Sequence, residues 1–466
     1  MTQEKVLAIF DIGKTNKKFF LFNQHLEIVY NTKIVFPTLT DDDGFECDDI
    51  DSIEIWIDEL LNEVIENSDF HLLAVNFSAY GSTMVYVDDT GKRVAPLYSY
   101  LKEMPADIPE SLYAEFGGKE EFCRVTASPQ LGSENCGHHV LWLKKYKPDF
   151  FRKTKWALFF AQYLSFRLHK KPIAEITSIG CHTGIWNHDE NELHEWAKAH
   201  SVAQLIPKII DTHAFINVQI NRKEVDVGVG IHDSSASIVP YLIQLKQPFL
   251  LISTGTWCIN INPFNQNTLT KDELERGCVN YISFLREPVK ASKLFLGHIH
   301  DSNLIWLSKA YNVNTDYFKK VQPDIIILNR LIINGEIKCL FFDNNVPKNY
   351  ISNFKPRKYF ISFEEAYHQL ILELVMMNHK LIELIMTNGP EIKNVYISGG
   401  FSGNDLYIKL VATVLSEKDV YISNISNASA LGVALISYSA FDSEPKCLDL
   451  GLKKVSPLNI QLQKTN

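Results

Sequence analysis

The sequence lacks closely spaced cysteine pairs and lacks an excess of positive charge. Its eight cysteines are scattered along the chain with no C-x-x-C spacing: Cys47, Cys123, Cys136, Cys181, Cys258, Cys278, Cys339 and Cys447. This spread is typical neither of a zinc motif nor of a disulfide-rich secreted domain. The formal net charge of −9 disfavours nucleic-acid binding, which calls for a basic surface, but it leaves room for a local site for an anionic small molecule.

Long hydrophobic runs are also missing. No stretch of about 18 or more apolar residues is present, so we expect no membrane-spanning helix. The first residues, MTQEK, lead directly into a predicted strand, and we therefore expect no signal peptide. Together with the unpaired cysteines, these absences predict a cytoplasmic protein without nucleic-acid or membrane partners.

The length and apolar content suit two domains. At 466 residues with 46% hydrophobic residues, the chain is too long for a single core, and about 200 residues per domain is the usual size. We place the boundary near 240–248, which gives an N-terminal domain over 1–245 and a C-terminal domain over 246–466. The alternation of helical and strand patterns predicts an α/β fold.

One pattern occurs twice. AIFDIGKTNKKFFLFN (8–23) places a short polar turn between two apolar runs, and PFLLISTGTWCININPF (248–264) repeats this arrangement in the second half of the chain. Two hairpins of this kind indicate a duplicated fold. Between them, SIEIWIDELLNEVIE predicts an amphipathic helix, and 105–225 reads as mostly helical. The acidic stretch TDDDGFECDDIDS predicts a solvated loop or the approach to a helix.

The Gly-Lys-Thr of the first turn is not a nucleotide P-loop. That motif requires a glycine five residues before Gly13, where Ala8 stands, and it requires a following helix, whereas KKFFLF predicts a strand. A hairpin can nevertheless hold phosphate, because Gly13 permits close backbone approach and Thr15 and Asn16 add neutral donors. Asp11 can hold Mg²⁺ through water. The alternative is a tight turn between two strands.

Two further turns carry similar chemistry. STGTW (253–257) is a second Gly-Thr turn, and SGGFSGN (398–404) is a strand-to-helix loop whose helix N-terminus favours a phosphate or a ring edge. In order along the chain, D-x-G-x-T-x-x-K, G-x-x-D, [ST]-G-T and S-G-G-x-x-x-N resemble the FGGY carbohydrate kinases over essentially the whole chain. The TGTW turn and the overall length look closest to the rhamnulokinase and L-fuculokinase branch.

This resemblance implies two actin-like (ribonuclease H-like) domains with the active site in the cleft between them, and ATP and Mg²⁺ as cofactors. For the nucleotide it implies three loops. The first phosphate loop contains Gly13, Thr15, Asn16 and Lys18, and the second contains Gly255 and Thr256. The adenosine loop contains Gly400 and Asn404. Asp11 is expected near the metal, with Asp233 as its second carboxylate.

For the sugar, the resemblance implies that GIHDSSAS holds the catalytic base, Asp233, with His232 as a substrate contact. YGSTMVYVDDTG is implied to begin the sugar site at Gly81 and Ser82. Three departures bear on the sugar and on phosphate: Thr83 and Met84 replace the usual Gln and His, Gln162 replaces an acidic residue, and Lys14 stands where many relatives have a small or hydroxyl residue. Lys14 either adds a phosphate contact or points to solvent.

Several of these residues also have a simpler interpretation. Asp233 before Ser-Ser-Ala is a favoured helix N-cap, a role compatible with catalysis. His232 is a neighbour, a sugar contact or a rival base. His138 and His139 either pack in the core or face the sugar. His298 and His300 form an H-x-H that can ligate a metal on a strand, and the helix after Asn427 is rich in small residues for close packing.

We therefore expect ATP-dependent phosphorylation of a primary hydroxyl of a ketose such as rhamnulose, fuculose or xylulose, with sugar and ATP as the small-molecule partners. Two other classes stay open: an actin-like-fold ATPase or kinase with a non-sugar acceptor, and a catalytically inactive nucleotide-binding sensor. An acidic surface is compatible with a monomer or a homodimer.

Overall fold

The computed structural model describes residues 3–333, 336–342, 346–347, 349–443 and 448–460. Cys447 lies outside these ranges, whereas the cysteines from Cys47 to Cys278 are buried thiols. In the described part of the chain, no helix is both long and apolar enough to cross a membrane.

The strands of the first half are β1 Glu4–Ile12, β2 Lys17–Asn23, β3 Ile28–Ile34, β4 Thr38–Thr40, β5 Glu46–Asp48, β6 Phe70–Ala79, β7 Met84–Val87, β8 Trp156–Phe159, β9 Ala174–Glu175, β10 Trp186–Asn187, β11 Glu192–Leu193, β12 Ile209–Ile210, β13 Phe215–Ile220, β14 Lys223–Gly228 and β15 Ile231–His232. Its helices are α1 Ile50–Glu66, α2 Asp107–Glu115, α3 Lys119–Val125, α4 His138–Tyr146, α5 Pro148–Lys153, α6 Phe160–His169, α7 Ile176–Ile179, α8 Glu195–Ala199 and α9 Asp233–Gln244.

The strands of the second half are β16 Phe249–Thr254, β17 Cys258–Asn262, β18 Cys278–Ile282, β19 Pro288–Leu294, β20 Ile332–Ile333, β21 Glu336–Ile337, β22 Asn394–Gly399, β23 Asp419–Ile422 and β24 Lys453–Lys454. Its helices are α10 Lys271–Glu275, α11 Leu296–Tyr311, α12 Ile325–Leu331, α13 Pro356–Tyr359, α14 Phe363–Met386, α15 Asp405–Val414 and α16 Ala428–Ile436.

Each half is built around one seven-stranded mixed sheet. The first has the order β13-β14-β6-β1-β2-β3, with β15 beside β6, and the second has the order β18-β19-β17-β16-β22-β23-β24. In both sheets a central strand has an antiparallel hairpin partner on one side and a parallel strand on the other: β1 lies between β2 and β6, and β16 lies between β17 and β22. The repeated hairpin is confirmed as an architectural repeat.

Two helices fill the space between the sheets. α16 packs on the first sheet beside α9, with Leu7, Ile9 and Ala74 in the same core cluster as Ala430–Ile436. α9 also contacts the second sheet, since Ile238 and Tyr241 share a cluster with Phe249 and Leu251. A Cβ on Gly432 would lie 1.9 Å from the carbonyl oxygen of Ala236, so the two helices touch at their backbones. The small residues of α16 therefore serve packing, as predicted.

The helix predicted from SIEIWIDELLNEVIE is confirmed as α1. Asp49 caps its N-terminus by accepting from Ser52 N, and Ile53, Ile57, Leu60 and Leu61 are buried. The prediction of a mostly helical stretch over 105–225 is wrong at its end, because Phe215–Gly228 forms the β13–β14 hairpin at the sheet edge. Alternate residues of β13 are half-buried, which is the period-two pattern of an edge strand rather than a helix.

Candidate active site

The first hairpin turn joins β1 to β2 through residues 13–16. Gly13 N donates to the carbonyl oxygen of Asn16 at 3.0 Å, which closes the turn. A Cβ on Gly13 would lie 3.0 Å from that same oxygen, so a larger residue would strain the turn. The side chains of Thr15 and Asn16 are exposed, while the strands on either side are buried. The turn therefore presents neutral donors at the end of a rigid hairpin.

Asp11 and Lys18 are cross-strand partners just inside this turn. Asp11 is 6% exposed and accepts a 2.7 Å hydrogen bond from Ser78 Oγ on β6. Lys18 Nζ lies 3.7 Å from Asp11 Oδ2 and donates to Asn427 Oδ1 at 3.3 Å, at the start of α16. A carboxylate and an ammonium group thus lie side by side where the two halves of the chain meet.

The acidic stretch leads into α1, as predicted, and Asp42, Asp43 and Glu46 are exposed, but the predicted solvation is wrong for Asp48. Asp48 is buried and accepts hydrogen bonds from Lys14 Nζ, from Lys17 Nζ at 2.8 Å and from Tyr80 OH at 2.9 Å. Burial alone would raise the pKa of Asp48, but the hydrogen bonds from the two lysines outweigh it and hold the pKa below its ordinary value. The charge run supplies the counter-ion of the first turn.

Lys14 is turned towards the protein rather than to solvent, and its alternative phosphate contact stays a prediction. Its ammonium group pairs with Asp48 and lies 5.5 Å from the ring centre of Tyr80 and 5.6 Å from that of Tyr100. A cation between two aromatic rings and a carboxylate is held by all three. Lys14 therefore stabilises the conformation of the turn through contacts within the protein.

Asp233 begins α9 directly after the short strand β15. Its side chain is 28% exposed, and Oδ1 accepts a hydrogen bond from the adjacent Ser234 N at 2.6 Å. The cap position belongs to His232, so the N-cap interpretation of Asp233 is wrong. Burial, and next the negative charge of Asp11, raise the pKa of Asp233 to about 7. The structure brings the two predicted carboxylates into one electrostatic environment.

His232 lies against both Asp233 and the Gly81 loop. Its Nε2 is 3.3 Å from Asp233 Oδ1, and its Nδ1 is 3.1 Å from Ser235 Oγ. A Cβ on Gly81 would lie 2.9 Å from the imidazole ring, so a glycine is needed there. Burial lowers the pKa of His232 to about 4, which makes it a neutral ring at physiological pH.

Ser82 follows Gly81 in this loop and contacts residues that were not predicted from the sequence. Its Oγ is 3.0 Å from His182 Nε2, and that nitrogen is 4.0 Å from Glu134 Oε2. Lys293 of the second half lies 3.9 Å from the same carboxylate oxygen. No local motif marks Glu134, His182 or Lys293, since each comes from a different part of the chain and only tertiary structure brings them together.

Tyr100 lies within electrostatic reach of three of these carboxylates. Burial raises the pKa of its hydroxyl to about 12, helped by the charges of Glu134, Asp233 and Asp48. Gln162, a departure from the usual acidic residue, is fully buried and donates to the carbonyl oxygen of Gly230 at 2.9 Å. It therefore supports the segment that leads into Asp233.

The second hairpin turn is more open than the first. Gly255, Thr256 and Trp257 are all exposed. Gly255 N donates to the Trp257 carbonyl at 2.9 Å, and the Thr256 carbonyl accepts from Gly297 N at 3.1 Å. A Cβ on Gly255 would meet nothing closer than 3.6 Å. Residues 255–256 thus offer uncharged backbone at the surface of the second sheet.

The 398–404 loop packs directly against that turn. Thr254 Oγ1 donates to the Ser398 carbonyl at 2.6 Å and accepts from Phe401 N at 3.0 Å. Gly399 has φ +86°, and a Cβ there would lie 1.9 Å from the Thr254 carbonyl oxygen. The position of Gly400 is open, with no atom within 4 Å of a Cβ. The two predicted nucleotide loops of the second half are therefore neighbours.

Asn404 caps α15 and faces a group of polar aromatic side chains. Its Oδ1 accepts from Tyr407 N at 3.1 Å, and its Nδ2 donates to Tyr367 OH at 2.8 Å. His300 Nε2 lies 3.1 Å from the same hydroxyl. His298 and His300 belong to helix α11 rather than a strand, so the predicted placement of the H-x-H is wrong. His298 stacks on Phe295 at 4.4 Å.

His138 and His139 belong to the core. Both are buried in α4, and burial lowers their pKa values to about 3 and about 4. Among the described residues, the grouping of three close metal-ligating side chains is Asp41, Asp42 and Asp43. Lys102 and Lys147 form ion pairs with all three carboxylates, so this cluster is a partly buried ion-pair network.

The two-sheet architecture is shared with solved sugar kinases. A carbohydrate kinase from Novosphingobium aromaticivorans has a TM-score of 0.75 at 18% identity, with 97% of each chain covered. A ligand-bound xylulose kinase from Lactobacillus acidophilus has a TM-score of 0.78 at 15% identity, over 97% of this chain and 94% of that one. A Plasmodium falciparum glycerol kinase with ADP has a TM-score of 0.75 at 13% identity, over 94% of this chain and 90% of that one.

These likenesses define the class by fold: two actin-like, ribonuclease H-like domains of the kind found in sugar kinases. No curated protein matches the chain significantly. Residues 6–230 match the model of the FGGY family of carbohydrate kinases, N-terminal domain. The match covers just under half of the chain, and this part is similar to that family; together with the shared fold, it identifies the protein as an enzyme, a carbohydrate kinase.

Proposed function

We propose that the protein transfers the γ-phosphoryl group of ATP to a primary hydroxyl of a ketose such as rhamnulose, fuculose or xylulose. The observation that carries this proposal is the position of Asp233. Its partly exposed carboxyl group is within electrostatic reach of Asp11, which pairs with Lys18, and it contacts His232, which packs against Gly81. A base for a sugar hydroxyl has to stand between a phosphate site and an acceptor site in this way.

Asp233 accepts the proton of the attacking hydroxyl. Phosphoryl transfer needs little covalent help, so this proton acceptor, positioning and charge neutralisation are the main contributions of the protein. A pKa of about 7 places Asp233 near the pH where it can both hold and release a proton. The adjacent His232, with a pKa of about 4, is a weaker proton acceptor than Asp233, and we therefore assign it to positioning the Gly81 loop.

The donor set also fits Mg²⁺. Burial, and next the negative charge of Asp11, raise the pKa of Asp233, and a divalent cation near both carboxylates would relieve their repulsion. Asp11 and Asp233 are the residues that would hold the ion, largely through water. When bound, Mg²⁺ would neutralise charge on the phosphate oxygens.

The phosphates of ATP are proposed to bind along the two hairpin turns. Gly13, Thr15, Asn16 and Lys18 serve the first turn, while Gly255 and Thr256 serve the second. Gly400 and Asn404 are proposed to contact the adenosine. The open space at Gly255 and Gly400 supports this assignment, because a ligand can approach the backbone closely at both positions.

The sugar is proposed to bind at Gly81, Ser82 and His232, with His182 and Glu134 as further polar contacts. Neutral imidazoles and a carboxylate suit recognition of several hydroxyl groups. We further propose domains over 1–245 and 246–466 with this site in the cleft between them. Similarity of the TGTW turn to the rhamnulokinase and L-fuculokinase branch leads us to place deoxy-ketohexoses first among the candidate sugars.

The experiment is ADP release from MgATP across a panel of ketoses, aldoses, polyols and sugar acids. We expect one ketose to raise turnover far above the rate without sugar. Equal ADP release with and without every sugar would contradict the proposal and favour an ATPase. ATP binding without any turnover on the panel would instead favour a catalytically inactive sensor.

A further inference from the structure

A fully buried carboxyl group in the first half takes no direct part in the proposed reaction. Glu175 ends β9 and caps the N-terminus of α7. Its Oε2 accepts from Thr177 Oγ1 at 2.6 Å and from the backbone N of Thr177 and Ser178 at 2.9 and 3.3 Å. Its Oε1 accepts from Thr212 Oγ1 at 2.6 Å. Because a buried carboxyl group is costly unless its oxygens are hydrogen-bonded, these four donors hold Glu175 in one position.

Thr177 connects this carboxyl group to β15. Its hydroxyl donates to Glu175, and the same oxygen accepts a 3.1 Å hydrogen bond from His232 N. A hydroxyl group has a single proton, so the bond to Glu175 leaves the lone pairs of the oxygen for the N–H of His232. Thr177 is itself fully buried. The backbone N–H one residue before Asp233 is thereby fixed to a buried anchor.

β15 has little length with which to fix its own position. It is two residues long and pairs with β6 at Ser78 and Ala79, and α9 begins at the next residue, Asp233. In the described part of the chain, the Asp233 carboxyl group forms its hydrogen bonds and its ion pair with its own neighbours, Ser234 and His232. Contacts of this kind move with the backbone, so the position of the carboxyl group depends on how firmly β15 is held.

The segment that begins at Glu175 reaches the proposed sugar site at its other end. Cys181 Sγ lies 3.5 Å from His232 Nε2, and His182 Nε2 lies 3.0 Å from Ser82 Oγ. Residues 175–182 therefore contact the backbone of His232 near their start and its ring near their end. One buried anchor thus supports both the backbone before the proposed base and side chains proposed to face the sugar.

We propose that Glu175 and Thr177 are positioning residues for Asp233: they hold the N–H of His232 and so keep the Asp233 carboxyl group aligned with the attacking hydroxyl. The inference rests on the proposed function, in which Asp233 accepts the proton of the sugar. Glu175 and Thr177 are both fully buried and act through the backbone rather than on the ligands. A displacement of about 1 Å at a reacting group costs about 100-fold in rate, so a hydrogen bond behind the site is sufficient to control turnover.

The kinetic test compares Thr177→Val with Thr212→Val, using the sugar found by the panel. Both variants remove one hydroxyl donor from the same carboxyl group, but only the first removes the acceptor of His232 N. We expect Thr177→Val to lower kcat about 100-fold, with the Kd for ATP, measured by calorimetry, unchanged within about twofold. Thr212→Val and the hydroxyl-retaining Thr177→Ser should keep kcat within about threefold of the wild type. Equal losses in the two valine variants, or no recovery in Thr177→Ser, would overturn the proposal.

A second readout does not depend on the sugar. Hydrogen–deuterium exchange of the amides over 231–234 should be about fivefold faster or more in Thr177→Val and unchanged in Thr212→Val, because only the first variant loses the hydrogen bond at His232 N. Equal exchange in the two variants would contradict the connection. Asp233→Asn separates the two claims. Wild-type turnover by Asp233→Asn would overturn the base and its positioning together, whereas loss of turnover in Asp233→Asn with full activity in Thr177→Val would overturn the positioning role alone.

Discussion

The two hairpin turns have the same strand arrangement but differ in the charge of the side chains around them. The first, over 13–16, is surrounded by charge: Asp11, Lys18 and the buried Lys17–Asp48 pair lie within it or beneath it. The second, over 255–257, is exposed and uncharged, and it is held by backbone hydrogen bonds to α11. The same backbone frame therefore carries charged side chains at one turn and open, uncharged backbone at the other.

The largest expected effect on stability comes from removing the buried carboxylate that supports the first turn. Replacement of Asp48 by Ala leaves Lys17, which is 2% exposed, without its carboxylate partner. Breaking a buried ion pair costs about 3–5 kcal/mol, and we expect a loss of this order in the free energy of unfolding, measured in urea.

The control is Asp43→Asn in the same acidic stretch, where the exposed carboxylate pairs with surface lysines. It should cost less than about 1 kcal/mol. Because Asp48 has a lowered pKa, its stabilising effect is present above its unfolded pKa and is lost only as the pH falls below 3.8. Equal losses for Asp48→Ala and Asp43→Asn at pH 7 would show that the first turn is not charge-supported.

The next largest effect is expected when the phosphate contact proposed for Lys18 beside the first turn is removed. Lys18→Met should lower kcat/KM for ATP about 100-fold, since loss of one preorganised donor in a phosphoryl-transfer site has effects of this size. The control is Lys33→Met, because Lys33 is the cross-strand neighbour of Lys18 on β3 and is exposed. Comparable losses in both variants would assign the effect to general surface charge.

A smaller, graded effect concerns pH. A base with a pKa of about 7 predicts that kcat/KM rises about tenfold per pH unit below 7 and levels off above it. A carboxyl pKa raised by folding also means that folded stability declines as the pH increases from 3.8 towards 7. Asp233→Asn should remove this decline in thermal melts; a variant with the wild-type pH dependence of stability would contradict the raised pKa.

The smallest effect compares the two turns directly. Gly13→Ala places a Cβ 3.0 Å from the Asn16 carbonyl oxygen and should destabilise by about 1 kcal/mol, whereas Gly255→Ala meets only ordinary contacts and should change stability by a few tenths. Both should raise KM for ATP if both turns hold phosphate. Calorimetric melts and steady-state kinetics measure the two quantities, and reversed stability losses would contradict the difference in packing.

Much of the frame could be predicted from the sequence because the hairpins, α1 and the loop at 398–404 are set by local patterns. Asp233 could be singled out as a candidate because it lies in a short motif, and its role stays a prediction. Glu134, His182 and Lys293 could not be predicted, because distant segments supply them and no spacing connects them. Asp48 was misjudged because a run of acidic residues usually faces solvent, and only the tertiary position of Lys17 explains its burial.

The central claim is that Asp233 is the base, and sugar-dependent ADP release by Asp233→Asn tests it most directly. With the acceptor found by the panel, we predict a loss of at least about 1,000-fold in kcat while ATP binding, measured by calorimetry, stays within about twofold. Turnover close to that of the wild type in a folded Asp233→Asn variant would contradict the assignment of the base.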